Sequence, residues 1–181
     1  MSRVMIVDDE ESILSALRRL LRIAPCTYGR LNYRLDVETF SSPEAALRRA
    51  GEASFDLILS DYRMPEMDGV AFLTRVKELQ PDAERLVLSG YADLDAILRA
   101  FDQAQIFRFV AKPWNDYILL SSIAEALNHR DILIENRQLA QALGDGARAA
   151  CKPAAAASQP APARWGPDGS IIVDPAADQR A

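Results

Sequence analysis

Five short apolar, β-branched runs punctuate the chain: "VMIV" at 4–7, "RLDVETF" at 34–40, "DLILS" at 56–60, "RLVLS" at 85–89 and "IFRFVA" at 106–111. The third and fourth are apolar almost without interruption, as expected of strands buried on both faces of a parallel sheet. Between the runs, apolar residues recur at helical spacing. Residues 10–23 carry Ile13, Leu14, Leu17, Leu20 and Leu21. Residues 43–50 begin after two serines, with Pro43 suited to a first helical turn. Residues 67–79 carry Val70, Phe72, Leu73 and Val76, with Pro81 just beyond, and 93–101 carry Leu94, Ile97 and Leu98. A long helix starts near Asn115 or Asp116. The order is β-α five times, which predicts an α/β fold: a five-stranded parallel sheet, doubly wound, with right-handed crossovers. The segment 23–33, "IAPCTYGRLNY", is long for a connection in such a unit and reads as an irregular surface loop.

Composition narrows the class. With 181 residues, about half of them apolar, the chain supports one sizeable core and a tail. A net charge of −5 argues against a dedicated nucleic-acid binder, which needs a basic face. No apolar run reaches the ~18 residues of a membrane span, and the N-terminus turns acidic too soon for a signal peptide. The expectation is a cytoplasmic protein without membrane contact. Cys26 and Cys151 are far apart and read as free thiols; with His129 the only histidine, no zinc site is expected.

The chemistry lies where the strands end. The first run stops at Asp8-Asp9, the third at Asp61, the fourth at Ser89 and the fifth at Lys112-Pro113. In an open parallel sheet, ligands bind outside the carboxyl ends of the strands. Taken singly, each residue has an ordinary explanation: an acidic helix start, a turn before Pro65, a Ser-Gly turn, a loop lysine. Their joint placement at successive strand ends is what those explanations leave out. Clustered carboxylates call for a hard divalent cation, and Mg²⁺ takes oxygen ligands together with phosphate oxygens. Lys112 and Ser89 can contact phosphate oxygens. Asp61 is either a further ligand or a nucleophile that would form an acyl phosphate.

The quoted pieces "IVDDE", "DLILSDYRMPEMDG", "VLSGYAD" and "FRFVAKPW" together resemble the receiver domain of bacterial two-component response regulators, over residues 3 to about 127. The resemblance implies a flavodoxin-like (βα)₅ domain in which Asp61 accepts phosphate from a sensor histidine kinase or a histidine phosphotransfer protein. It implies Mg²⁺ held by Asp8, Asp9, Asp61 and the backbone carbonyl of Arg63. It makes Ser89 and Lys112 the switch residues that bind the phosphoryl group, and Phe109 the aromatic switch position. Arg63 and Tyr91 flank the site and would tune dephosphorylation. The chain departs from the family's commoner pattern in having Ser rather than Thr at 89, Gly at 90 where Ala is frequent, and no hydroxyl on Phe109. A dehalogenase-type phosphatase also uses a strand-end aspartate, but wants a second aspartate two residues on, where this chain has Arg63.

The expected organisation is a receiver over 1–127, an extension of the last helix over 128–143, and an Ala/Pro-rich disordered tail over 144–181. Along the extension His129, Ile132, Asn136, Leu139 and Leu143 alternate at three and four residues, a short coiled-coil seam with a dimer-specifying asparagine. An apolar patch at 170–174, with Trp165 before it, reads either as a docking segment or as a few apolar residues in a tail. The extension and the joined "KPW" are similar to receivers attached to cyclic-di-GMP phosphodiesterases or hydrogenase-type transcription regulators. The residues after the receiver are too few for a winged-helix module, so the output expected is binding to a downstream protein.

Overall fold

The computed structural model describes residues 1–90, 104–150, 164–165 and 171–172. The helix expected at 93–101, and Tyr91, lie outside the described residues. The chain divides into two units, 1–139 and 140–181.

In the first unit, β1 (Ser2–Val7), β4 (Leu35–Phe40), β5 (Leu57–Asp61), β6 (Glu84–Ser89) and β7 (Arg108–Ala111) form one sheet in the order β4-β1-β5-β6-β7. All four pairings are parallel. Side-chain alternation splits the core in two. Val4 and Ile6 face α1 (Glu11–Ile23) and α4 (Asp116–Ala150), together with Leu14, Leu17, Leu59, Leu88, Ile123 and Leu127. Met5 and Val7 face α2 (Pro43–Glu52) and α3 (Gly69–Leu79), with Ala46, Ile58, Phe72, Leu73 and Val76. Each such fully buried Leu, Ile or Phe contributes about 1.5–3 kcal/mol relative to exposure. Because β5 and β6 are buried along their whole length, they need helices on both sides, and that is why their sequences lack polar alternation.

Helix starts follow the local chemistry. Ser42 caps α2, its hydroxyl accepting from the Ala45 amide at 3.4 Å, with Pro43 in the first turn. Asp68 caps α3 by accepting from the Ala71 amide at 2.7 Å.

One expectation is corrected. The segment after Ile23 is not irregular: β2 (Cys26–Tyr28) and β3 (Leu31–Tyr33) pair antiparallel. Gly29, with φ +58°, supplies the backbone conformation the two-residue turn requires. Cys26 is buried on the inward side, and the Tyr33 hydroxyl reaches Asp131 of α4 at 3.4 Å.

α4 also runs to Ala150, past Leu143, where the change of composition would end it. Ala147, Ala149 and Ala150 are strong helix formers and carry the helix through Gly144 and Gly146. In the second unit, β8 (Arg164–Trp165) pairs antiparallel with β9 (Ile171–Ile172), Trp165 in register with Ile171. No helix among the described residues is long and apolar enough to cross a membrane.

Candidate functional site

The sheet winds outward from β1 to the edge strand β4, then returns past β1 to β5. The winding therefore reverses between β1 and β5, and the crevice outside their carboxyl ends is the site such sheets offer to ligands. Asp8 and Asp9 follow β1, and Asp61 is the last residue of β5. One carboxylate oxygen from each lies within 4.8 Å of the others. Asp8 is fully buried, Asp61 is buried and Asp9 is exposed. The Glu10 amide donates to Asp8 Oδ1 at 2.9 Å and fixes that carboxylate as the chain enters α1.

Lys112, just after β7, reaches across β6 and β5 to this cluster. Its ammonium is 2.7 Å from Asp8 Oδ2 and 2.7 Å from Asp61 Oδ1. Burial raises the Asp61 pKa above the ordinary carboxyl value, and the bond and charge of Lys112 pull it back only in part. For Lys112, burial works to lower the pKa. The hydrogen bonds and charges of Asp61 and Asp8 outweigh it, and the ammonium is held above its ordinary value. A lysine bridging two buried carboxylates stays charged.

The strand ends are tied by main-chain bonds. The Tyr62 amide donates to the Leu88 carbonyl at 2.9 Å, and the Lys112 amide to the Ser89 carbonyl at 2.7 Å. Ser89 is 1% exposed, and its hydroxyl donates to the Gly90 carbonyl at 3.2 Å. The Lys112–Pro113 peptide is cis. Phe109 stands beside Val87 in the pairing of β7 with β6, half-buried against the α2/α3 side of the core. Arg63 is exposed in the loop after β5, and Met64 turns inward beside it. In that loop the Met67 amide donates to the Pro65 carbonyl at 2.7 Å across Glu66, whose φ is 68°. This is a tight γ-turn.

The structure thus brings Asp8, Asp9, Asp61 and Lys112 into one cluster, with Ser89 at the neighbouring strand end. It puts Phe109 on the α2/α3 side of the sheet, paired with Val87. Two contributors were not singled out from the sequence. The Glu10 amide carries no side-chain signal. Gly69 had one: a glycine opening a helix behind an Asp cap. Its amide donates to the Tyr62 carbonyl at 2.8 Å, and a Cβ there would strike the carbonyl oxygen of Asp61.

The oxygen donors fit a hard divalent cation: three carboxylates within one coordination sphere's reach, only partly neutralised by a single ammonium.

Comparison with known proteins agrees with this geometry. The family model of the response regulator receiver domain matches residues 4–124. The hydrogenase transcriptional regulatory protein HoxA of Bradyrhizobium diazoefficiens is 35% identical over 127 residues, which are 68% of this chain and 24% of HoxA. The chain spans about a quarter of the length of such curated relatives. A crystal structure of an uncharacterised protein from Neptuniibacter caesariensis superposes with a TM-score of 0.65 at 40% identity, covering 75% of this chain and 93% of that one. The signal receiver domain of an HD domain-containing protein from Pseudomonas fluorescens superposes with a TM-score of 0.61 at 32% identity, covering 72% and 97%. A match over most of the chain, on a sheet wound in the same way, settles its kinship: it belongs to the response regulator receiver domains, the phosphoacceptor switches of two-component signalling.

Proposed function

We propose that Asp61 is the phosphoacceptor, and that Asp8, Asp9 and Asp61, with the backbone carbonyl of Arg63, hold Mg²⁺. The observation that carries this reading is the meeting of three carboxylates and Lys112 at the reversal point of the sheet. When bound, Mg²⁺ neutralises charge on the phosphoryl group in transit. The phosphodonor is the phosphohistidine of a sensor histidine kinase or of a histidine phosphotransfer protein. An Asp61 carboxylate oxygen bonds to phosphorus while the P–N bond breaks, and the electron pair leaves with the imidazole. Burial makes the Asp61 carboxylate more basic, and so more nucleophilic, while Lys112 keeps it ionised.

The acyl phosphate adds nearly two negative charges. Lys112 exchanges part of its contact with Asp8 and Asp61 for a phosphoryl oxygen, and the Ser89 hydroxyl turns from the Gly90 carbonyl toward another. Since the Lys112 amide is bonded to the Ser89 carbonyl, the ends of β6 and β7 shift together. Phe109 follows into the space they leave, and the surface around β7 and α4 changes for a downstream protein to read. Arg63 and Tyr91 set how readily water reaches the acyl phosphate. The chain modifies itself and hydrolyses its own acyl phosphate, without turning over free phosphate esters, and it works in the cytoplasm.

Incubation with acetyl phosphate and Mg²⁺ tests this. Intact-mass measurement is expected to find one added phosphoryl group, absent when Mg²⁺ is chelated and absent in Asp61→Asn. Undiminished labelling of Asp61→Asn would remove Asp61 from the acceptor role.

A further inference from the structure

A cavity of about 490 Å³ opens where β6 and β7 begin, at the end of the sheet away from the carboxylate cluster. Its volume is that of a small-molecule site. The strand starts form one wall, with Arg85, Ile106 and Phe107, and α4 forms the other, with Arg130, Leu133 and Ile134. His129, which the spacing alone counts with the helix's apolar stripe, turns to this cavity instead. Its Nδ1 lies 2.8 Å from Glu84 Oε1, and its ring packs on Phe107 with centroids 5.2 Å apart.

Arg85 is the anomaly in the wall. It is 4% exposed, yet no carboxylate among the described residues pairs with it. Its Nε donates to the Ala104 carbonyl at 2.8 Å, and its Nη1 to the carbonyls of Ala83 at 2.5 Å and Gln80 at 3.5 Å. A guanidinium carries five N–H donors, and the two on Nη2 meet no acceptor among the described residues. Burial holds the Arg85 pKa below its ordinary value, against the charge of Glu84. Glu84 itself, one residue along the strand and so on the other face, is engaged by His129. The remaining cations each have a carboxylate: Arg130 pairs with Asp56 at 2.8 Å and Arg137 with Asp82 at 2.6 Å. Even so, the buried Nε of Arg130 meets no acceptor among the described residues. One buried positive charge thus lines the cavity without a counter-charge, an arrangement that is costly until something pairs with it.

We propose that this cavity binds a small organic monocarboxylate, its carboxylate on Arg85 and its apolar body against Phe107, Leu133 and Ile134. The planar fork of a guanidinium matches the two oxygens of a carboxylate. A single negative charge completes the pairing, whereas a second one would face Glu84 and Asp82, which line the same cavity. The apolar body follows from the rest of the wall. Leu133 is exposed and Ile134 half-buried, and an inorganic anion would leave both in water.

Titration of the nitrogen-15-labelled full chain with phenylpropionate, followed by amide chemical shifts, tests the proposal. Saturable shifts are expected at residues 82–85, 105–107 and 129–137, with a dissociation constant on the order of 1 mM. Phenylpropionamide, which has the same body without the charge, is expected to bind at least about tenfold more weakly. Arg85→Met is expected to abolish the shifts. Leu133→Trp fills the cavity from an exposed position, so it keeps the test decisive if Arg85→Met fails to fold, and it too is expected to abolish them. Asp61→Asn is expected to bind as the wild type does, which separates this site from the assignment of the phosphoacceptor. The proposal is overturned by an absence of saturable shifts, by equal binding of the amide, by shifts that survive Leu133→Trp, or by binding of inorganic phosphate where phenylpropionate does not bind.

Discussion

Gly69 lies against the main-chain carbonyl of Asp61, so close that a Cβ at position 69 would collide with the carbonyl oxygen. The residue that opens α3 is therefore packed beneath the strand end that carries the Asp61 carboxylate. In an ordinary helix, replacing Gly by Ala stabilises by roughly 0.8–1 kcal/mol. Here the obstacle is backbone, which cannot swing aside. Gly69→Ala is expected to lower stability by about 1–3 kcal/mol and to slow labelling by acetyl phosphate, because Asp61 must move. Urea unfolding together with the labelling rate checks both; a raised unfolding midpoint would contradict the close approach.

Lys112 leads to a second expectation. It bridges Asp8 and Asp61, both buried. Removing one partner of a buried ion pair costs about 3–5 kcal/mol, since the remaining charge loses its compensation. Lys112→Met is expected to lose stability on that scale when divalent ions are chelated. Mg²⁺ relieves the same repulsion, so it should raise the melting temperature of Lys112→Met by more than that of the wild type. Thermal melts in MgCl₂ and in EDTA make the comparison. An equal response in both proteins would mean that cation and lysine do not act on a common cluster.

Much of this was legible in the sequence because the signals were redundant. The runs with Leu57, Ile58 and Leu59 and with Leu86, Val87 and Leu88 read as two-sided strands, and the structure splits each between the two halves of the core. Asp8, Asp61, Ser89 and Lys112 each fell at a strand end, and parallel pairing carries strand ends to one edge. The hairpin at Cys26–Tyr33 escaped because strands of three residues are too short for alternation to register; its one clear mark was Gly29 in a two-residue turn. The rotation of α4 escaped for a different reason. Spacing fixes which residues share a face, but only the ion pairs of Arg130 and Arg137 decide which face the core takes.

The edge strand carries a pH-dependent contribution. Glu38 of β4 accepts from Arg49 at 2.8 and 3.2 Å and from Arg3 at 2.5 Å. The Arg49 hydrogen bond is the main cause of a pKa below the ordinary 4.5; burial opposes it and Arg3 reinforces it. A carboxyl whose pKa falls on folding adds stability above its unfolded pKa and loses it as pH drops through the folded one. Glu38→Gln should therefore be less stable than wild type by about 1 kcal/mol at neutral pH. The gap should close on acidification below the unfolded value of 4.5. Denaturant melts at neutral and acid pH measure it, and a gap that widens with acid would reverse the assigned sign.

Cys26 gives a probe of the hairpin itself. It is 1% exposed, and its Sγ lies 3.8 Å from the Leu120 carbonyl of α4. Burial pushes its thiol up to about 11. At pH 8 only roughly one such thiol in a thousand is ionised, and the thiolate is the species that reacts. Access and ionisation thus both require β2 to leave α4. In a Cys151→Ser background, iodoacetamide is expected to modify the native chain only through such openings. The rate should rise with urea in step with unfolding measured by circular dichroism if the hairpin opens with the whole domain. A rate that is already fast in water, and insensitive to dilute urea, would mean that β2 and β3 open on their own and that the sulfur is not sealed against Leu120.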